Sequence, residues 1–179
     1  THINKQLSDK WSTGLYVHGN THQENHDVND DGFLDIPLYN QINVLNRWQY
    51  TDGERGIVSF LNVRYLYDEK QGGQVAFNPK TDRGTTNAWG SEIETERFES
   101  SFKLGYVNPE LPWQSTGFQA AYSFHEQQSY FGLNTYNIRH NSFYSNLLYN
   151  SIISDSRHKI KTGLSFTYDQ YKPVSYTHL

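Results

Sequence analysis

The sequence predicts an all-β chain, an antiparallel up-and-down sheet of about eight strands that forms part of a transmembrane β-barrel. Three observations predict it. Apolar residues recur with period two in segment after segment. The face they define is backed by one of Arg, Lys, Glu, Gln, His and Asn, too polar for the interior of a soluble sandwich. The connections alternate in length, which gathers turns on one side of the sheet and long polar loops on the other, as in outer-membrane barrels.

Taken in order, residues 3–7 read as the end of a first strand. Trp11, Thr13, Leu15 and Val17 then oppose Ser12, Gly14, Tyr16 and His18. Ile42, Val44, Trp48 and Tyr50 oppose Asn43, Arg47 and Gln49. Ile57, Leu61, Val63, Tyr65 and Tyr67 oppose Asn62, Arg64 and Asp68. Residues 97–106 alternate cleanly, with Phe98, Ser100, Phe102, Leu104 and Tyr106 on one face and Arg97, Glu99, Ser101, Lys103 and Gly105 on the other. Residues 118–127 repeat the pattern through Phe118, Ala120, Tyr122 and Phe124. Phe143, Leu147 and Tyr149 oppose Asn146 and Asn150. In residues 158–169, Ile160, Thr162, Leu164, Phe166 and Tyr168 oppose Lys161, Gly163, Ser165, Thr167 and Asp169.

Short connections fall near residues 8–9, 52–53, 108–116 and 154–156, and long ones at 20–40, 69–90 and 129–140. Trp11, Trp48, Tyr50, Tyr106 and Phe118 lie toward the turns, and Tyr65, Tyr67, Tyr130 and Tyr168 toward the loops. Such belts suit residues that place a ring in the membrane interface and a polar tip in water. Glu92, Glu94 and Glu96 share the parity of Phe98 and Phe102. Carboxylates facing hydrocarbon are costly, so this strand is expected to leave the bilayer near Phe98. Residues 1–172 are assigned to the barrel, and residues 173–179, from Pro173 on, to a non-native or irregular tail.

Composition narrows the class further. Only 35% of the residues are hydrophobic, below the roughly 45–50% usual in soluble domains. Yet 16% are aromatic, which argues against disorder. No run approaches the roughly 18 apolar residues of a membrane helix. A net charge of -4 leaves no basic footprint for nucleic acid. With no cysteine there is no disulfide, thiolate site or cysteine nucleophile. The G-x-S-x-G, H-E-x-x-H and phosphate-loop patterns are missing, so an enzyme is not expected. The chain opens at Thr1 with no charged and apolar leader, and it reads as an internal fragment.

The strongest local motif is Asp27-x-Asn29-x-Asp31-Gly32-x-x-Asp35. It places oxygen ligands at positions 1, 3, 5 and 9 of a calcium loop, with glycine at the sharp turn and the Phe33 carbonyl at position 7. Leu38 stands where a bidentate glutamate closes such loops, so a ligand is missing. The alternative is an acidic loop built of Asx-turns. His18, His22 and His26 are spaced i, i+4, but they run from a strand end into a loop and read as polar loop histidines. Trp89, Tyr130, Tyr136 and His140, in or beside the long loops, are candidate contacts for a flat or macrocyclic ligand, with loop self-packing as the alternative. Arg64, with Arg97 and Lys103, is a candidate guide for an anionic ligand, or a partner of Glu99 and Asp68.

Asp30-Asp31-Gly32-Phe33-Leu34-Asp35-Ile36-Pro37, followed by Gln41-Ile42-Asn43 and Leu45-Asn46-Arg47-Trp48, resembles the barrel of TonB-dependent outer-membrane receptors. Gln71-Gly72-Gly73, Ser129-Tyr130-Phe131-Gly132 and Lys161-Thr162-Gly163-Leu164-Ser165-Phe166 are similar to the same group. The likeness is greatest to receptors for cobalamin and iron chelates. It implies a fragment of a 22-stranded barrel in a bacterial outer membrane, closed by a plug that has no counterpart here. It further implies a scarce nutrient of the cobalamin, haem or siderophore class, the TonB complex acting through the plug, and a surface lipoprotein as a further partner. A non-transport barrel (adhesin or structural) and a soluble β-rich binding module are the alternatives.

Overall fold

Period-two segments joined by short turns pair with their neighbours in sequence, and the computed structural model shows that arrangement. It describes residues 1–177. The strands are β1 (His2–Gln6), β2 (Trp11–His22), β3 (Leu38–Asp52), β4 (Ile57–Gly73), β5 (Gly90–Val107), β6 (Ser115–Phe131), β7 (Asn134–Ile153) and β8 (Asp155–Thr177). They form one antiparallel up-and-down sheet in the order β1 to β8. The sheet is open, with β1 and β8 as its edges. No helix among the described residues is long and apolar enough to cross a membrane, which says nothing of crossing by strands.

Residues directly opposed in an antiparallel pair share a face. The register therefore decides whether the separate alternations add up. One row runs Thr13, Trp48, Leu61, Phe102, Ala120, Ser145, Phe166. The next runs Val17, Val44, Tyr65, Phe98, Phe124, Asn141, Gln170. Leu104 lies between Ser59 and Phe118, and Leu147 between Phe118 and Leu164. Most of the apolar residues of β2 to β8 thus fall on one face, with Leu45, Val58, Phe60, Leu66 and Leu148 among the exceptions. That face is bare: Leu61, Phe98, Phe102, Leu104, Phe118, Tyr122, Phe143 and Leu147 are all exposed. Neighbouring rings lean on each other, Phe102 on Phe118 at 6.3 Å and Phe143 on Phe166 at 6.2 Å.

The opposite face is mostly polar, apart from the row Thr51, Val58, Gly105, Gly117, Leu148 and Gly163 near the turn end. Ser12, Gln49, Phe60, Lys103, Gln119, Asn146 and Ser165 form one row, and Tyr16, Leu45, Arg64, Glu99, Ser123, Ser142 and Asp169 another. Asn62 donates to Ser101 at 3.1 Å, and Gln119 and Asn146 both donate to the Tyr144 hydroxyl. The only buried apolar side chains among the described residues are Phe77 and Tyr130, and both lie at the loop end.

On β5 the apolar stretch spans Phe98 to Tyr106, a rise of about 27 Å at about 3.4 Å per residue. Beyond Phe98 the same face turns acidic, with Glu96 between Tyr67 and Glu126, and Glu94 between Glu69 and Gln128. The strands nevertheless continue: β5 has 18 residues, β7 has 20 and β8 has 23. Two sequence expectations change here. The third long loop, at 129–140, is strand on both sides of a tight turn at Gly132-Leu133. Its polarity hid it, because backbone pairing needs no apolar face where neither side is buried. Pairing also runs past Pro173, opposite Ile138, as far as Thr177. An edge strand accommodates a proline, since the missing N–H can lie on the unpaired side. His178 and Leu179 of the expected tail lie outside the described residues.

At the turn end, Asp52 is 2% exposed. It receives Lys10 Nζ at 2.6 Å, the Tyr50 hydroxyl at 3.1 Å and the Arg55 backbone N–H at 3.2 Å. These hydrogen bonds, led by that of Lys10, hold the carboxyl below its ordinary range, and the bond to Asp52 raises Lys10 in turn. The stabilisation from Asp52 is present above its unfolded pKa of about 3.9 and is lost as pH falls through its depressed folded value. That from Lys10 is present below about 10.4 and is lost as pH rises through its raised folded value. Thermal unfolding followed against pH should therefore show a plateau between these limits, and Asp52→Asn should remove the acid-side loss assigned to this turn.

Candidate functional site

The loop end is tied together by three connections. In the β2–β3 loop, residues 23–37, the acidic side chains organise their own backbone. Asp27 accepts from the N–H groups of Asp31 at 3.1 Å and Gly32 at 2.9 Å. Asp31 accepts from the Phe33 N–H at 2.9 Å and from the Asn29 amide at 3.0 Å. Asp35 accepts from the Val28 N–H at 2.8 Å. Asp30 and Gly32 have φ of 54° and 80°, the left-handed conformation that tight turns need. Asp27, Asn29, Asp31 and Asp35 thus belong to one wound loop, as their spacing predicts. Their oxygens face backbone donors, and no group of three or more His, Asp or Glu side chains among the described residues is placed to hold a metal ion.

That loop is hooked onto the next one. Phe33 forms an isolated β-bridge with Gln74. The Leu34 N–H donates to Gly73 and the Val75 N–H to Gly32, both at 2.9 Å. Phe33 also packs against Trp89 at 6.4 Å. Trp89 in turn lies against the β6–β7 turn, where an added Cβ on Gly132 would stand 2.9 Å from the indole nitrogen. Gly132 has a φ of 59° and donates its N–H to Gly90 at 2.8 Å. Trp89 is therefore the side chain on which all three loops meet.

The β4–β5 loop, residues 74–89, also folds back over the sheet. Phe77, 7% exposed, packs at 6.1 Å from Tyr130, which is 2% exposed. The Arg83 guanidinium sits 4.4 Å above the Tyr130 ring, a cation–π contact. Glu92 lies beside them, and burial, with help from Glu69, raises its pKa. Burial raises that of Tyr130 as well, and its hydroxyl makes no hydrogen bond of ordinary geometry.

On the polar face, Arg64 donates to Asn43 at 3.0 Å and to Glu99 at 3.2 Å, and Arg97 reaches the same carboxylate at 2.7 Å. A cavity of about 390 Å³ opens there, lined by Arg64, Glu99, Ser101, Ser123, Ser142 and Tyr144. His140 stacks on Tyr171 at 4.0 Å and lies 3.1 Å from Asp169.

The structure divides the five expected ligand contacts. Arg64, Tyr136 and His140 share the polar face, Trp89 sits in a loop, and Tyr130 is on the opposite face under Phe77. Phe77, Arg83 and Tyr171 carry contacts that sequence reasoning missed, and His125 lies opposite Arg97. For His125 the available signal was its parity with Arg97. For Phe77 there was none, because a loop residue has no periodicity to betray what it covers. No family model, curated protein or solved structure matches the chain.

Gly90 is the residue that admits Phe77, since any Cβ there would clash with the phenyl ring. Gly90→Ala should cost about 1–3 kcal/mol and free the 74–89 loop, seen as faster hydrogen exchange and proteolysis within it. Tyr130→Phe should leave that protection intact or raise it, because the lost hydroxyl makes no hydrogen bond of ordinary geometry.

Proposed function

We propose that this chain is a wall section of a TonB-dependent outer-membrane transporter that takes up a scarce nutrient. The observation that carries the membrane part is the uncovered apolar face, continuous from β2 to β8 and backed by charged rows. A soluble module would have to cover such a face, and Phe77 and Tyr130 are too little core to replace that burial. In a bilayer the same face meets hydrocarbon. Its length of about 27 Å along a strand tilted roughly 35–45° projects to a height of about 19–22 Å, close to but somewhat below the apolar band of outer-membrane barrels, about 25 Å tall. Glu94, Glu96 and Glu126 then stand above the hydrocarbon, in water.

Lipid tolerates no open sheet edge. β1 and β8 would therefore pair with further strands, and eight of 22 would make about a third of the wall. The transport part rests on the loop and strand motifs that resemble the receptor family. Capture would fall to the loops joined at Trp89 and to the polar face around Arg64. Release would fall to a plug driven by the TonB complex, which this segment does not supply. We assign the loop of Asp27, Asn29, Asp31, Phe33 and Asp35 to calcium, because it combines hard oxygen donors with the tight winding such a loop needs. The ion would brace the segment that bridges to Gln74.

Two measurements test this. Phe102→Arg should impair insertion by about 2–4 kcal/mol, while Ser101→Arg, one residue away on the other face, should be tolerated; equal damage from both would contradict the faces. Calorimetry on the full-length protein should show calcium-dependent heat that Asp31→Ala removes, and no heat in the unaltered protein would reject the ion.

A further inference from the structure

One row of the polar face carries chemistry that neither the wall nor the loops use. It runs Asn43, Leu66, Arg97, His125, His140, Tyr171 across β3 to β8. His125 stands directly opposite Arg97 on one side and His140 on the other. Opposed residues on paired strands hold their Cβ atoms about 4.5–5.5 Å apart, so the three side chains form one cluster. The members differ in how they are held. Arg97 is braced by Glu99 at 2.7 Å, and that carboxylate is shared with Arg64. His140 is fixed by Tyr171 at 4.0 Å and by Asp169 at 3.1 Å. His125 Nδ1 is buried and has no hydrogen-bond partner.

An orphaned buried ring nitrogen carries a desolvation cost. A ligand group that accepts its proton would remove that cost. The neighbours decide the sign of that group. Arg97 is permanently charged and repels a metal ion, and the Nε2 of His140 is already engaged by Asp169. Both facts favour an anion. We propose that Arg97, His125 and His140 form a subsite for an oxyanion group, a carboxylate or phosphate carried by the transported ligand, and that this subsite binds more tightly as pH falls. The proposal rests on the reading of the polar face as a water-filled interior.

The pH dependence follows from the groups that face His125. Arg97 comes from β5 and His140 from β7, with Glu99 and Asp169 behind them. Burial, then Arg97 and His140, holds His125 below the ordinary histidine range, so in the free protein it is neutral near pH 7. A bound anion stabilises the imidazolium. Protonation and binding therefore assist each other by the same factor.

Sulfate is the probe of choice, because it stays a dianion throughout the range and any pH dependence belongs to the protein. In the full-length protein in detergent, sulfate should bind at least about fivefold tighter near pH 5.5 than near pH 7.5. Histidine NMR should show the His125 pKa rising on sulfate addition. His125→Gln should abolish the pH dependence, and His18→Gln, on β2, should leave it unchanged. The NMR titration needs no variant, so a misfolded His125→Gln protein does not shield the idea. Sulfate that leaves the His125 pKa unmoved, or equal affinity at both pH values, overturns the subsite. Ser123→Cys labelling by a membrane-impermeant thiol reagent separates the two levels. Labelling without sulfate binding sinks the subsite alone, whereas a lipid-shielded Ser123→Cys sinks the interior reading and the subsite with it.

Discussion

Register is the constraint on which the rest depends. Side chains alternate with a period of two, so a one-residue slip between any two strands would carry every apolar residue of one of them to the polar face. Across seven pairings the register shifts once, between Ile152 and Ile153 at the last turn. The turns enforce this. Asp52 locks the first residues of β2 to the end of β3 through Lys10, and Gly56 closes the β3–β4 turn with a φ of 66° and a backbone bond to Val107. Short, chemically specific turns at one end set the register of strands that run long toward the other.

Beyond the apolar stretch a different logic operates. Both faces are polar there, and pairing continues because buried or half-buried backbone groups need partners whatever the side chains are. The extra strand length lifts the β6–β7 turn to the height of the two loops, and Trp89 then joins all three. This gives the candidate capture region a scaffold of paired backbone rather than free loop, which lowers the ordering cost of binding a ligand. The acidic winding of residues 27–35 belongs to the same scaffold, since Gly32, Phe33 and Leu34 make the contacts to residues 73–75.

The candidate site was only half legible. Arg64 is legible because period two assigns it to the polar face, whereas Trp89, Tyr136 and His140 are legible only as residues in or beside long polar stretches. Tyr130 was grouped with them as a loop aromatic, yet it lies under Phe77 on the other face, where it holds the loop down. The difference arises from Gly90, whose missing side chain makes room for Phe77, and nothing in the local pattern announces that. His125 and Glu126 are adjacent on a strand and therefore point to opposite faces. The partners of His125 are instead the residues opposite, Arg97 and His140, and these lie 28 and 15 positions away in sequence.

Alternation and turn chemistry in the sequence by itself determined the eight strands, the two faces and most of the sorting of connections, the tight β6–β7 turn being the exception. These are local properties, set within a few residues by side-chain period and by the φ that glycine, asparagine and aspartate tolerate. The tertiary structure alone decided how far each strand extends past the apolar stretch, which loops touch, and which charged residues share a row. Those depend on pairings between residues far apart in the chain. Alternation fixes the face on which a residue lies, but its neighbour across the gap is chosen by the register of another strand.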